Sequence, residues 1–263
     1  MHGREPQSPA FGPLSGAGIV ITRPARQAAG LAQQVAALGA TPIVFPAIVI
    51  LPPTDRAALM RVHAQLGQYD IAIFVSANAV EYGAPDPKQW PARLATFAPG
   101  TGTAVALAAT GIHDVRISHT TFDSEGLLAL PELNDVAGKR VAIFRGAGGR
   151  ELLRQTLEQR GATVDYVECY RRRAPQTGAD GLLEAVRQQR AHALTLTSTE
   201  GLANLWSLLD DGGRTSLVRL PAFVPHARVA AHARSLGFVV VDCGDGDAGL
   251  IAGLLEWFAL HPH

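Results

Sequence analysis

The chain is 263 residues long, room for two domains of a little over ~100 residues each. Hydrophobic residues make up 47% of it and charged residues 17%, so both halves can bury a core, and disorder is not expected beyond the ends. Its 23 basic and 23 acidic residues cancel, which leaves no global field to hold a polyanion; nucleic acid is not an expected partner, and any anionic ligand must be held locally.

Lys88 and Lys139 are the lysines in an otherwise arginine-based set of cations, a pattern that fits coding bias and also fits selection for bidentate carboxylate binding. Cys169 and Cys243 lie far apart without a paired-ligand spacing, so neither a disulfide framework nor a metal site is expected, and a reducing cytoplasm suits them. The most apolar stretch, 43–51, is broken by Pro46 and falls short of the ~20 residues of a membrane-spanning helix. Residues 1–15 read as a loose tail.

From Gly18 onward short β-branched runs alternate with helical stretches. The pattern predicts a strand over 19–22, a helix over 25–38 with Leu31, Val35 and Leu38 on one face, and a stop at Gly39. Pro24 suits the first helical turn. Further strands are predicted over 41–45, 71–75, 103–106, 115–118, 140–144, 163–170, 193–197, 222–224 and 238–241. Helices are predicted over 54–66, 150–160, 181–190, 200–209 and 227–235, among others. This alternation predicts an α/β protein with doubly wound parallel sheets covered on both faces.

Two internal echoes accompany it: 22–24, helix, 39–41 and strand is answered by 145–146, helix, 161–163 and strand, and 74–78 is answered by 196–200. Each member of the second pair is a strand that ends in a small hydroxyl residue and opens a helix. Two proline-bounded runs, 46–53 and 167–175, read as connectors at a sheet edge or between domains. The Arg171-Arg172-Arg173 triplet within the second reads as a solvated linker.

The run 145–150, Arg-Gly-Ala-Gly-Gly-Arg, follows a strand and opens a helix, but meets neither the Rossmann nor the P-loop spacing. Its glycines let backbone amides approach a ligand, and Arg145 and Arg150 add forks suited to carboxylate. Arg23 stands in the same relation to the first strand. Ser76 and Asn78, Thr197, Ser198 and Thr199, and Tyr170 put hydroxyl and amide groups at strand ends, where open α/β sheets bind ligands and where helix caps also occur. The nine histidines have no ligand spacing, and no nucleophile motif stands out.

Taken together, these segments resemble the uroporphyrinogen-III synthase family from about Gly18 to Leu260. The central block is 140–146 (RVAIFRG), Gly149-Arg150-Glu-Leu-Leu, Leu157, Arg160-Gly161-Ala162, 164–172 (VDYVECYRR) and Pro175. Supporting matches are 21–24 (ITRP), 74–81 (FVSANAVE), 124–128 (SEGLL), Leu196-Thr-Ser198 with Gly201-Leu202, and Val224-Pro225-His226 before Gly237-Phe238.

The resemblance implies a discontinuous first α/β domain, 16–45 with 175–263, and a second over 54–166. A two-stranded β linker, 46–53 and 167–174, would join them. It implies a hydro-lyase of tetrapyrrole and heme biosynthesis that cyclises hydroxymethylbilane to uroporphyrinogen III with no cofactor and no metal. In that chemistry water leaves the hydroxymethyl carbon to give an azafulvene, the substituted position of ring D attacks it, and a spirocyclic pyrrolenine fragments and recloses with ring D inverted. The bilane also cyclises unaided without inversion, so the protein's task is to fold it toward the disfavoured attack.

By residue, the resemblance assigns Tyr170 to assist departure of water. Arg23, Ser76, Asn78, Arg145, Gly146, Thr197 and Ser198 become substrate contacts, with His226, which stands where relatives often have glycine, as a further cleft residue. After the strand expected at 103–106 the family pattern of glycine turn, threonine and helix is not met, since 107–111 runs directly into Ile112. The helix is therefore expected to be shortened or lost, with Thr110 as the matching threonine. A monomer is expected in the cytoplasm, able to take the bilane by transient hand-over from hydroxymethylbilane synthase. The alternative is a non-catalytic α/β protein that binds a tetrapyrrole or another polycarboxylate, which the altered Thr110 segment favours and the intact Arg145 block disfavours.

Overall fold

The structure is a computed structural model and describes residues 12–119, 121 and 123–261. The chain divides into two compact units, one running up to Val49 and again from Arg173, the other Ile50–Arg172.

In the first unit, β1 (Gly18–Ile21), α1 (Ala25–Ala37) and β2 (Thr41–Val44) come first. The second unit follows with β3 (Val49–Leu51), α2 (Arg56–Ala64), β4 (Ile71–Phe74), α3 (Ala77–Gly83), β5 (Ala95–Ala98), α4 (Thr101–Ala109), β6 (Val115–Ile117), α5 (Ser124–Leu128), β7 (Arg140–Gly146), α6 (Leu152–Gln159) and β8 (Thr163–Arg173). The chain then completes the first unit with α7 (Asp180–Arg187), β9 (Ala193–Thr195), α8 (Thr199–Ser207), α9 (Asp211–Leu217), β10 (Ala222–Val224), α10 (Ala227–Ser235), β11 (Val240–Asp242) and α11 (Gly246–Leu260).

The first unit's sheet has the order β11-β10-β9-β1-β2, with parallel pairing throughout. β1 is apolar at every position because both of its faces are covered. Val20 points into a core shared with α7, α8 and α10, while Ile19 and Ile21 point to the opposite core with α1 and α11, as the two-residue period of a strand requires.

The second unit's sheet has the order β3-β8-β7-β4-β5-β6, with parallel pairing from β8 to β6. Phe74 and Phe144 stack at 4.3 Å on the face covered by α2, α3 and α4. Ile73, Val141 and Ile143 face α5 and α6. Both sheets are therefore wound on two sides. Among the described residues no helix is long and apolar enough to cross a membrane.

Two expectations are corrected. The tail predicted over 1–15 lies outside the described residues up to 11, but beyond that point it is structural: Leu14 is wholly buried and its N–H donates to Leu38 O at 2.9 Å. The strand predicted over 103–106 is the middle of helix α4, and the strand that precedes it is β5, which the sequence pattern passed over. The connector over 46–53 contains β3, and the one over 167–174 takes in the last part of β8, which runs from Thr163 to Arg173.

Candidate functional site

In an open parallel sheet the crevice for a ligand lies outside the carboxyl ends of the two strands where the winding reverses. In the second unit the chain moves from β4 to β5 and β6 on one side, then returns to place β7 and β8 on the other, so the reversal lies between β4 and β7. A cavity of about 310 Å³ opens there, with Ser76, Pro99, Asp123, Gly146, Tyr166 and Tyr170 among its walls.

Ser76 follows β4 and caps α3, its Oγ accepting from Ala79 N at 3.2 Å. The same Oγ lies 3.3 Å from the hydroxyl of Tyr170, a residue only 4% exposed. The Tyr170 ring rests on Gly146, where a Cβ would come within 2.7 Å of Cε2 and Cζ, so the close approach requires glycine. Asn78 sits in the first turn of α3 and is itself engaged.

Arg145 reaches the cavity, but its fork is already occupied. The side chain is 7% exposed and donates to Glu151 Oε1 and Arg150 O at 3.3 Å each, and also to Gly148 O. Its guanidinium lies 4.2 Å over the Tyr166 ring. Burial pushes the Tyr166 phenol above its ordinary value, while the Arg145 charge pulls it back. Arg145 is thus an internal strut of the glycine loop. Arg150 pairs with Glu125 at 2.7 Å in solvent. Arg172, read from the sequence as part of a solvated linker, instead lines the cavity because β8 extends to Arg173.

Asp123 caps α5, accepting from Gly126 N at 2.9 Å and from Thr121 Oγ1 at 2.8 Å. The Gly126 bond first, then the Thr121 bond, holds its carboxyl below the ordinary value of 3.8. A depressed folded pKa means that this stabilisation is present above the unfolded value and is lost as pH falls through the folded one. Asp123→Ala is expected to cost about 1 kcal/mol at neutral pH, with the difference closing in acid. Urea unfolding of both proteins at neutral pH and below pH 3.8 checks it.

In the first unit the winding reverses between β1 and β9. At their carboxyl ends stand Thr22 and Arg23 on one side and Thr197 and Ser198 on the other. Thr22 Oγ1 donates to Thr195 O at 2.7 Å and Thr195 Oγ1 donates to Val20 O at 3.1 Å, which ties the two strands at that end. Ser198 caps α8 by accepting from Gly201 N at 3.2 Å, the counterpart of Ser76. The adjoining Thr199 Oγ1 is buried without a hydrogen-bond partner among the described residues. Arg23 is ion-paired with Asp247 of α11. His226 follows β10, one strand away from the reversal; it is exposed, with Nδ1 4.0 Å from Asp245.

A family profile described as "Uroporphyrinogen-III synthase HemD" matches residues 29–243. The chain belongs to the uroporphyrinogen-III synthase family. A uroporphyrinogen-III synthase from Salmonella typhimurium is 38% identical over 244 residues, spanning 89% of this chain and 98% of the relative. One from Escherichia coli is 36% identical over the same shares, and one from Synechococcus elongatus is 32% identical over 93% of this chain and 97% of its own length. In fold, the chain is similar to the uroporphyrinogen-III synthetase of Helicobacter pylori, with a TM-score of 0.60 at 14% identity over 94% of this chain and 100% of that one. A mutant uroporphyrinogen III synthase from Thermus thermophilus gives a TM-score of 0.59 at 19% identity, over 93% and 100%.

The departure from the uroporphyrinogen-III synthase pattern expected around Thr110 disappears in the structure. With β5 at Ala95–Ala98, the glycine turn is Pro99-Gly100, the threonines are Thr101 and Thr103, and the helix is α4, capped by Gly100. Thr110 lies at the other end of α4, where its Oγ1 donates to Leu107 O at 2.7 Å. Thr103, 7% exposed, stands in the first turn of α4, the place that the sequence reading gave to Thr110. The Pro-Gly pair before it was the available signal.

Proposed function

We propose that this chain is a hydro-lyase that cyclises hydroxymethylbilane to uroporphyrinogen III, losing water and inverting ring D, in the cytoplasm and without a cofactor. The observation that carries the reading is the arrangement of hydroxyl groups at the winding reversals: Ser76 and Tyr170 in one sheet, Ser198 in the other. Fixed hydrogen-bond donors suit a reaction whose catalytic demand is conformational, because each holds one part of a flexible polycarboxylate in the shape needed for the disfavoured attack. Tyr170 Oη, beside Ser76 Oγ at 3.3 Å, would donate to the departing hydroxyl, which leaves as water. Ser198 and Arg23 are the candidate contacts in the first unit, and the Arg145 strut would fix the shape of the 146–149 loop beside the cavity of the second. Thr103 replaces Thr110 in this reading, and His226 has no part in the water-loss step.

The restored α4 segment removes the one feature that favoured a binding protein without catalysis. Free Cys169 and Cys243 suit a reducing compartment, and a monomer receiving the bilane from hydroxymethylbilane synthase fits the reading. The test is to incubate purified protein with freshly prepared hydroxymethylbilane and separate the uroporphyrin isomers after oxidation. The ring-inverted isomer III is expected to predominate; isomer I alone, as in the uncatalysed control, would contradict the assignment.

A further inference from the structure

β8 carries a bulge where it passes the end of β7. Arg145 pairs with Glu168 but Gly146 pairs with Tyr170, so Cys169 is an extra residue with no opposite number. Before that point β8 alternates regularly. Val164 and Tyr166 face the core beneath α6, while Val167 faces Phe74 and Phe144. Cys169 keeps the Val167 face, and an unbroken strand would return Tyr170 to the Tyr166 face. The extra residue resets the alternation, and Tyr170 joins Cys169 in the Val167 core. There its ring lies 6.4 Å from Tyr82 of α3, and its hydroxyl lies beside the cap of that helix.

Two contacts close the bulge, a backbone bond from Ala147 N to Tyr170 O at 2.7 Å and the Cys169 side chain. That side chain is wholly buried, and its single S–H is shared between Arg145 O on β7 at 3.2 Å and Ala79 O on α3 at 3.5 Å. Room for the sulfur exists because residue 83 is glycine: a Cβ there would meet Cys169 Cβ and Sγ at 2.8 Å. Burial pushes the thiol up to about 12, so at neutral pH it is an uncharged donor and not a nucleophile.

We infer that Cys169 is a positioning residue, which pins the bulge between β7 and α3 and thereby aims the Tyr170 hydroxyl at Ser76. The inference rests on the ring-closing reading for its kinetic consequence, but not for its structural one. Cys169→Val removes the donor and adds a methyl group against Gly83. It is expected to lower kcat about tenfold to a hundredfold by moving the hydroxyl, with KM within about twofold, and to shift the ¹³Cζ resonance of Tyr170 in tyrosine-labelled protein. Cys169→Ser, which keeps a donor of similar size, is expected to rescue both readouts. Gly83→Ala presses on the same sulfur from α3 and should move the resonance in the same way, which provides a second route if the valine variant folds poorly. A Tyr170 resonance and kcat that stay at parent values in both Cys169→Val and Gly83→Ala would overturn the inference. If the parent chain forms no inverted product, the functional reading falls, and the resonance alone still decides whether Cys169 sets the Tyr170 orientation.

Discussion

Tyr170→Phe is expected to lower kcat about a hundredfold while barely changing KM, because it deletes one proton donor and nothing else. The ring stays packed on Gly146 and near Tyr82, so the fold has no reason to change. Among the described residues the hydrogen-bond partner at stake is Ser76 Oγ at 3.3 Å, a long contact whose loss costs no more than about 1 kcal/mol of stability. Spontaneous cyclisation of the bilane continues in the background, so the fall in catalysed rate also appears as a rising share of the uninverted isomer. A variant with undiminished rate and inversion would remove Tyr170 from the chemistry.

Gly146→Ala should produce a loss of similar size by a different route. The new methyl carbon would sit 2.7 Å from Cε2 and Cζ of Tyr170, closer than two carbons can approach, and the flanking β7 backbone is held in the sheet. The ring must give way, taking its hydroxyl away from Ser76. The expected fall in kcat is about tenfold to a hundredfold, with an overpacking cost of about 1–3 kcal/mol. Because both substitutions act through one hydroxyl, their effects should not add: in the Tyr170→Phe background, Gly146→Ala should cost little further activity. Full additivity in steady-state kinetics of the four proteins would mean that Gly146 acts independently of Tyr170.

The α/β architecture was legible because its signals are local. Runs such as GIVI at 18–21 and IAIF at 71–74 are continuously apolar, as strands covered on both faces must be, and helical spacing follows them. Ser76 and Ser198 were legible for the same reason, since a strand, a hydroxyl and a helix in succession describe a capped switch point in sequence terms. The segment 95–109 was misread because α4 is apolar around most of its circumference, and its Thr-Ala-Val-Ala run imitates strand alternation. The true strand there is only four residues long.

Arg145 was legible as a residue of the site but not in its role, because nothing along the chain shows that its fork closes on carbonyls three to five residues further on. The Cys169 bulge was invisible for a related reason. It exists only in the register between β7 and β8, and regular alternation up to Cys169 points Tyr170 the wrong way. Leu14 was passed over because its packing partners are remote in sequence, among them the last helix.

Substrate held, as we propose, at the carboxyl ends of the strands where each sheet reverses its winding should perturb the backbone amides there. Amide chemical-shift mapping during titration with uroporphyrinogen III reads this out, with the largest shifts expected at Ser76, Gly146 and Tyr170 in one unit and at Arg23, Thr197 and Ser198 in the other. Asp70, Arg93 and Lys139, beside a separate cavity at the opposite strand ends of the second sheet, should stay still. Shifts concentrated on that cavity, or absent from both winding reversals, would contradict the proposal.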